Sequence, residues 1–324
     1  MMIASVLDGS GRFRTNIEYE ELKHSVKDHN CTVWVDFEGA SNEENKALTE
    51  VFNFHPLAVE DCLNTSEQPK LDNYDDYLFL VLHAVNFARK HDEALTTLEL
   101  NLFVGKNYIV THHRKPIRSI NSNRELCSRD PNAFLGKGTD FLLHKIVDAV
   151  VDNYLPTIAM IEHEIDSIED DIFDNCTQQI LNRILMLKKD ATYLRKIISQ
   201  QRNIVYRLAN TEFPVIGKDC QIYFSDIYDQ LNKFVDQVES YRDLLGGIVD
   251  LYLSMSSVKM NEIVKTLTIV MTILMPMTLI TGVFGMNFDY MPPIHSPYGY
   301  FITIGAMVLI GVFLWFYMKR KRWF

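Results

Sequence analysis

Between Asp250 and Gly285, steps of alternately four and three residues select Asp250, Ser254, Ser257, Asn261, Val264, Thr268, Met271, Met275, Thr278, Gly282 and Gly285. Such a set forms one face of a helix at coiled-coil period. Its first half presents carboxylate, hydroxyl and amide oxygens, groups that suit a hard cation or the water around it. A dry seam built from Asp, Ser, Ser and Asn would be wet and weak, whereas helices gathered about an axis could turn those oxygens toward a water-filled path. A packing seam and a pore lining are thus the two readings of one pattern, and the polar residues favour the pore.

Other chemistry finds little support. The formal net charge of -10 argues against nucleic acid as a partner. The five cysteines, Cys31, Cys62, Cys127, Cys176 and Cys220, show no CxxC pair and no zinc-site spacing, which predicts reduced, buried thiols. His112-His113 and the scattered serines make no triad, and there is no Gly-rich phosphate loop, so neither an enzyme nor an organic cofactor is expected. Taken singly, Glu60, Asp61, Asp148 and Asp226 read as surface charges or helix caps.

These residues must be positioned by very different elements. Thr266–Phe288 and Ser296–Met318 are uncharged, each about 23 residues and so long enough for a membrane span. Lys259 and Lys265 precede the first, Lys319-Arg320-Lys321-Arg322 follows the second, and the loop between has no Lys or Arg, which predicts cytoplasmic termini. Trp315, Tyr317 and Trp323 on one side, with Tyr290, Tyr298 and Tyr300 on the other, suit interfacial belts. The N-terminus has no apolar signal core.

Alternation over Thr32–Phe37, Tyr77–Phe87, Thr96–Val104 and Tyr108–Thr111 predicts strands, and Asn42–Phe54 and Pro56–Asn64 read as helices, so residues 1–132 form an α/β domain. Residues 133–219 predict two long antiparallel helices, one acidic (Glu162, Glu164, Asp166, Glu169, Asp170, Asp171, Asp174) and one basic (Arg183, Lys188, Lys189, Arg195, Lys196, Arg202, Arg207). Residues 220–288 read as one stalk helix continuing into the first span, residues 289–298 as an external loop, 299–318 as the second span and 319–324 as a basic tail.

The first span closes on Phe284-Gly285-Met286-Asn287-Phe288, followed by a short loop, a second span and a basic tail. This combination closely resembles the CorA-type magnesium transporters, whose signature is GMN. His55-Pro56-Leu57-Ala58-Val59-Glu60-Asp61, Gln68-Pro69-Lys70, the segment from Ile146 to Asp152 and the segment from Tyr223 to Asp229 also look like family segments. The resemblance implies a funnel-shaped homopentamer with an αβα sandwich-like α/β cytoplasmic domain, a long helical stalk and two C-terminal transmembrane helices. It implies residence in a prokaryotic inner membrane, among lipid, and conduction of Mg2+, with Gly285, Met286 and Asn287 as selectivity residues.

By the same resemblance Asp250, Asn261, Leu267, Met275 and Thr278 face the pore, with Leu267 in place of the neighbouring Thr268, and the stripe adds Val264 and Met271. Val264 stands where the family often has Met, so the apolar gate is less bulky. Glu60 and Asp61 of one subunit would meet Asp226 of a neighbour, with Asp148 nearby, as regulatory sites for intracellular divalent cations. The loop departs from the family's MPEL, reading Met291-Pro292-Pro293-Ile294, and leaves Asp289 as its only acid. A zinc-, cobalt- or nickel-carrying member of the same superfamily and a non-conducting membrane-anchored sensor remain the alternatives.

Overall fold

The structure is a computed structural model that describes residues 1–66, 68–87, 94–174, 177–286 and 296–321. In chain order its elements are β1 (Met2–Leu7), β2 (Phe13–Thr15), α1 (Tyr19–Lys27), β3 (Thr32–Glu38), α2 (Asn42–Asn45), α3 (Ala47–Glu50), α4 (Pro56–Leu63), β4 (Lys70–Asn73), β5 (Tyr77–Val85), β6 (Thr97–Gly105) and β7 (Tyr108–His113). There follow α5 (Arg118–Arg129), α6 (Pro131–Phe134), α7 (Thr139–Asp152), α8 (Tyr154–Asp174), α9 (Gln178–Asn210), α10 (Lys218–Phe284) and α11 (Gly299–Arg320). They divide into two compact units, Met1–Asp171 with Thr177–Val249, and Ile172–Cys176 with Asp250–Phe324.

In the first unit a seven-stranded sheet runs β2-β1-β3-β7-β6-β5-β4. Among the described strands β3 and β7 pair in parallel and every other neighbouring pair is antiparallel. All nine residues of β5 are buried because both faces of the sheet are covered. Tyr77, Phe79 and Val81 join Val33, Val35, Phe37 and Phe103 in a core closed by Leu22 of α1, Leu48 of α3 and Ala58 of α4. Leu78, Leu80 and Leu82 alternate to the opposite face, where α7 packs on β5, β6 and β7 and α9 packs on β4 and β5. The result is the expected α/β/α sandwich.

Strands β1, β2 and β4 lie outside the segments whose alternation predicts strands. β2 has three residues, and the four of β4, Lys-Leu-Asp-Asn, sit at the sheet edge with one buried side chain. Asn42–Phe54 predicts one helix, yet the chain forms two single turns, the first held by a capping box between Ser41 and Glu44. Asn53 then adopts φ 51°, which lets Phe52 and Phe54 stack over the sheet with ring centroids 5.2 Å apart.

The continuous helical pattern after residue 139 predicts two long helices, and the chain forms three, α7, α8 and α9. Pro156 has no N–H to give Asp152, and its ring crowds that carbonyl, so α7 stops there and α8 starts afresh. Tyr154, fully buried at this break, donates to the His83 carbonyl and accepts from Gln201 Nε2 at 2.7 Å, while Gln201 Oε1 accepts from the His83 amide at 2.6 Å. One side-chain pair thereby fastens α8 and α9 to β5. The acidic and basic helices do pair, through Arg183 to Glu164 at 3.1 Å and Asp171 at 2.7 Å, but Arg195 reaches Glu239 of α10 instead.

Candidate ion pathway and cation sites

In the second unit, α10 and α11 each contain a window apolar enough to cross a membrane, with mean hydropathy 2.1 and 2.2. At about 100° per residue, Ile269, Ile273, Pro276, Met277, Ile280 and Phe284 fall on one side of α10. This side is the shielded one: Ile269 is buried and the others are half-buried. Met277 lies so close to α11 that a Cβ on Gly311 would sit 2.5 Å from its Cε, so the glycine is what admits the contact. The predicted stripe lies on the opposite side. Val264 (52% exposed), Leu267 (56%), Met271 (58%) and Met275 (70%) are apolar yet uncovered, and Asp250, Asn261 and Thr278 are exposed with them.

Hydroxyls along α10 turn inward on their own helix. Thr268 Oγ1 donates to the Val264 carbonyl at 2.7 Å, Thr272 to Thr268 at 2.7 Å and Thr278 to Leu274 at 3.0 Å. With its proton committed, the Thr278 oxygen offers only lone pairs outward. Pro276, within the helix, leaves the Thr272 carbonyl without its usual donor, which a span tolerates when neighbouring groups compensate. Gly285 follows the end of α10; its N–H reaches the Thr281 carbonyl at 2.9 Å, and a Cβ there would stand 3.1 Å from the same oxygen. Exposed Met286 closes the helix with an N–H to the Val283 carbonyl at 3.3 Å. Asn287 and Asp289 lie outside the described residues.

The predicted regulatory acids fall into two groups within the first unit. Asp148 of α7 is half-buried; burial, then the charges of Asp152 and Asp226, push its carboxyl above the usual range, against the pull of Lys145. Beside it, burial and then Lys145 push the His144 imidazole down to about 4, opposed by Asp226. The α7 and α10 carboxylates therefore share one field, and Gln230 Nε2 adds a donor to Asp152 at 3.0 Å.

Glu60 and Asp61 stand apart, in the last turn of α4. That helix starts where His55 Nδ1 accepts from the Leu57 amide at 3.2 Å and Pro56 occupies the first turn. Glu60 is exposed, but Asp61 is already partnered: Lys70 Nζ of β4 donates to its Oδ2 and also lies 3.3 Å from Asp72 Oδ2. Burial pulls the Lys70 ammonium down, but its hydrogen bonds to Asp61 and Asp72 outweigh this and hold it above the usual lysine range.

A third cluster went unsignalled in the sequence. Asp36, Glu38 and His113 place ligand atoms within 4.8 Å of one another. Asp36 is 2% exposed, and its Oδ1 accepts from Thr111 Oγ1 at 2.6 Å and faces His113 Nε2 at 3.1 Å, while Oδ2 accepts from Arg124 at 3.0 Å. With donors on both oxygens and a guanidinium in contact, this is a polar network tying β3, β7 and α5 together rather than an open metal centre. Separations of 77 and 88 residues between the partners leave no local pattern to read.

A profile of the family described as CorA-like Mg2+ transporter protein matches residues 30–320. The chain belongs to this family. CorA-like proteins are ion transporters rather than enzymes, in keeping with two closing helices able to span a membrane. Over 293 residues the chain is 40% identical to YfjQ of Bacillus subtilis, covering 90% of this chain and 89% of that one. It is 31% identical to the cobalt/magnesium transport protein CorA of Thermotoga maritima over 332 residues, covering 97% and 94%. The complete structure of the CorA magnesium transporter from Methanocaldococcus jannaschii superposes with a TM-score of 0.83 at 26% identity, covering 100% of this chain and 99% of that one.

Proposed function

We propose that this CorA-like protein is a homopentameric magnesium channel of a prokaryotic inner membrane, with both termini cytoplasmic, conducting hydrated Mg2+ inward. The observation that carries the proposal is the division of α10. One side is covered by α11 of the same chain, while the side bearing Asn261, Val264, Leu267, Met271, Met275 and Thr278 is bare. Copies of α10 set around an axis would cover that side and enclose a path with an apolar stretch, Val264 to Met275, between polar rings at Asn261 and Thr278.

Magnesium dehydrates reluctantly, so a pore that keeps the ion's waters avoids most of that cost. Water bound to Mg2+ points its hydrogens outward and needs acceptors. Thr278, whose proton is spent on Leu274, presents an acceptor oxygen, and the side-chain oxygens of Asn261 and Asn287 supply more. Rings of Leu267 and Met275 would hold the path dry when closed. The membrane potential would supply the drive, since it acts on a double charge.

Closure would use Glu60 and Asp61 of one subunit with Asp226 and Asp148 of another. Burial, and after it the charges of Asp152 and Asp226, disfavour the charged form of Asp148, and a bridging cation would relieve both. Flux of Mg2+ into liposomes tests the pathway: Asn287→Ala should abolish it while the oligomer persists on size exclusion. Undiminished flux in that variant would refute the proposed path. Asp61→Asn with Asp226→Asn should weaken inhibition by internal Mg2+, and unchanged inhibition would remove those residues from the regulatory site.

A further inference from the structure

We propose that Lys70 is a tethered competitor for the cation site at Asp61: its ammonium holds Asp61 in the cation-free protein and moves to Asp72 when a divalent ion takes its place. This rests on the proposed regulatory role of Asp61 and adds a residue of this chain that would set the ion concentration for closure.

The geometry places one mobile head between two carboxylates on a fixed stem. Lys70 Nζ pairs with Asp61 Oδ2 and lies 3.3 Å from Asp72 Oδ2. The Lys70 backbone is anchored in β4, in register with Val81 of β5. Arg207 of α9 donates to the next carbonyl, that of Leu71, at 2.8 Å, which ties the strand edge to a long helix. The ammonium also sits 5.1 Å from the centre of the Phe79 ring, a cation–π contact beside both carboxylates. The chain can thus hand Nζ from one acid to the other by side-chain rotation alone.

A lysine ammonium and a magnesium ion seek the same carboxylate lone pairs, and one excludes the other. Binding a cation at Asp61 therefore breaks one ion pair and strengthens its neighbour, with no proton taken up or released. The displaced charge remains compensated by Asp72, which keeps the exchange close to balanced and lets modest changes in Mg2+ decide it. A partly exposed ion pair shifts such an equilibrium by up to about fivefold.

The test uses the full chain in detergent, titrated with MgCl2, with resistance to protease as the readout of the closed form. Lys70→Met should lower the Mg2+ midpoint by about two- to fivefold. Asp72→Asn should raise it, because the ammonium loses its second seat and stays on Asp61; two opposite shifts cannot come from general loss of stability. Plain long-range electrostatics predicts the same signs, so the deciding variant is the double one. If Asp72 acts through Lys70, Lys70→Met with Asp72→Asn matches Lys70→Met alone; additive shifts overturn the proposal. An unmoved or raised midpoint in Lys70→Met also overturns it, provided Asp61→Asn weakens the response. Should Asp61→Asn leave the response unchanged, the regulatory role of Asp61 fails and the competitor role falls with it.

Discussion

Replacing Asp36 by Ala removes the carboxylate that joins β3, β7 and α5. The carboxylate is 2% exposed and meets Thr111, His113 and Arg124. Its loss leaves the His113 ring, wholly buried at 0%, without its partner at Nε2, while Arg124, at 28%, can recover water. Charge-assisted hydrogen bonds of about 1.5–3 kcal/mol each do not simply add, because the donors share one acceptor group. Breaking a buried pair by deleting one partner costs about 3–5 kcal/mol. For a unit of this size each kcal/mol moves Tm by about 2–4 °C, so Asp36→Ala should lower it by roughly 6–20 °C. Asp36→Asn should fall short of rescue, since its amide hydrogens would meet the donors of Arg124 or His113. Arg124→Met, at the exposed end of the network, should cost less than Asp36→Ala. Thermal unfolding of the full chain in detergent, followed by intrinsic fluorescence, provides the comparison. A Tm for Asp36→Ala within about 2 °C of the parent would refute the network as the clamp between β3, β7 and α5.

Two further outcomes follow from other contacts. His144 has its folded value depressed from 6.5 to about 4 by burial and by Lys145, so the unfolded chain binds more protons below 6.5 and stability is lost as pH falls from there toward about 4. Its Nδ1 has no hydrogen-bond partner among the described residues, and the ring packs against Phe141, Tyr223 and Phe224, so His144→Phe should fit and show a smaller fall in Tm across that window; an equal fall would contradict the assignment. In the second unit, Gly311→Val should disrupt the packing of α11 on α10 and lower flux, and Met277→Ala in the same chain should restore it by vacating the space that a Cβ needs. Failure of the second substitution to restore flux would mean that this contact does not set the helix spacing.

Much of this protein can be read from its sequence because its main signals are local. The α10 stripe depends only on helical period, and an uncharged run of about 23 residues declares a span by length alone. The alternation in β3, β5, β6 and β7 likewise repeats every second residue, and four predicted strands stand within two residues of their observed ends. Local signals also misled where a local event cut across them. Pro156 splits the helical run after residue 139, and Phe52 and Phe54 leave the helical register to reach the core.

What the tertiary structure decided is pairing between residues distant in sequence. Asp61 reads as an available acid until β4 comes beside α4 and brings Lys70 to it. His113 reads as half of an idle pair until the parallel join of β3 to β7 sets it beside Asp36. Period and composition report which side of an element seeks water or oil, because that preference belongs to each residue alone. The partner a charge finds depends on which strands and helices become neighbours, and that is settled only when the whole core closes.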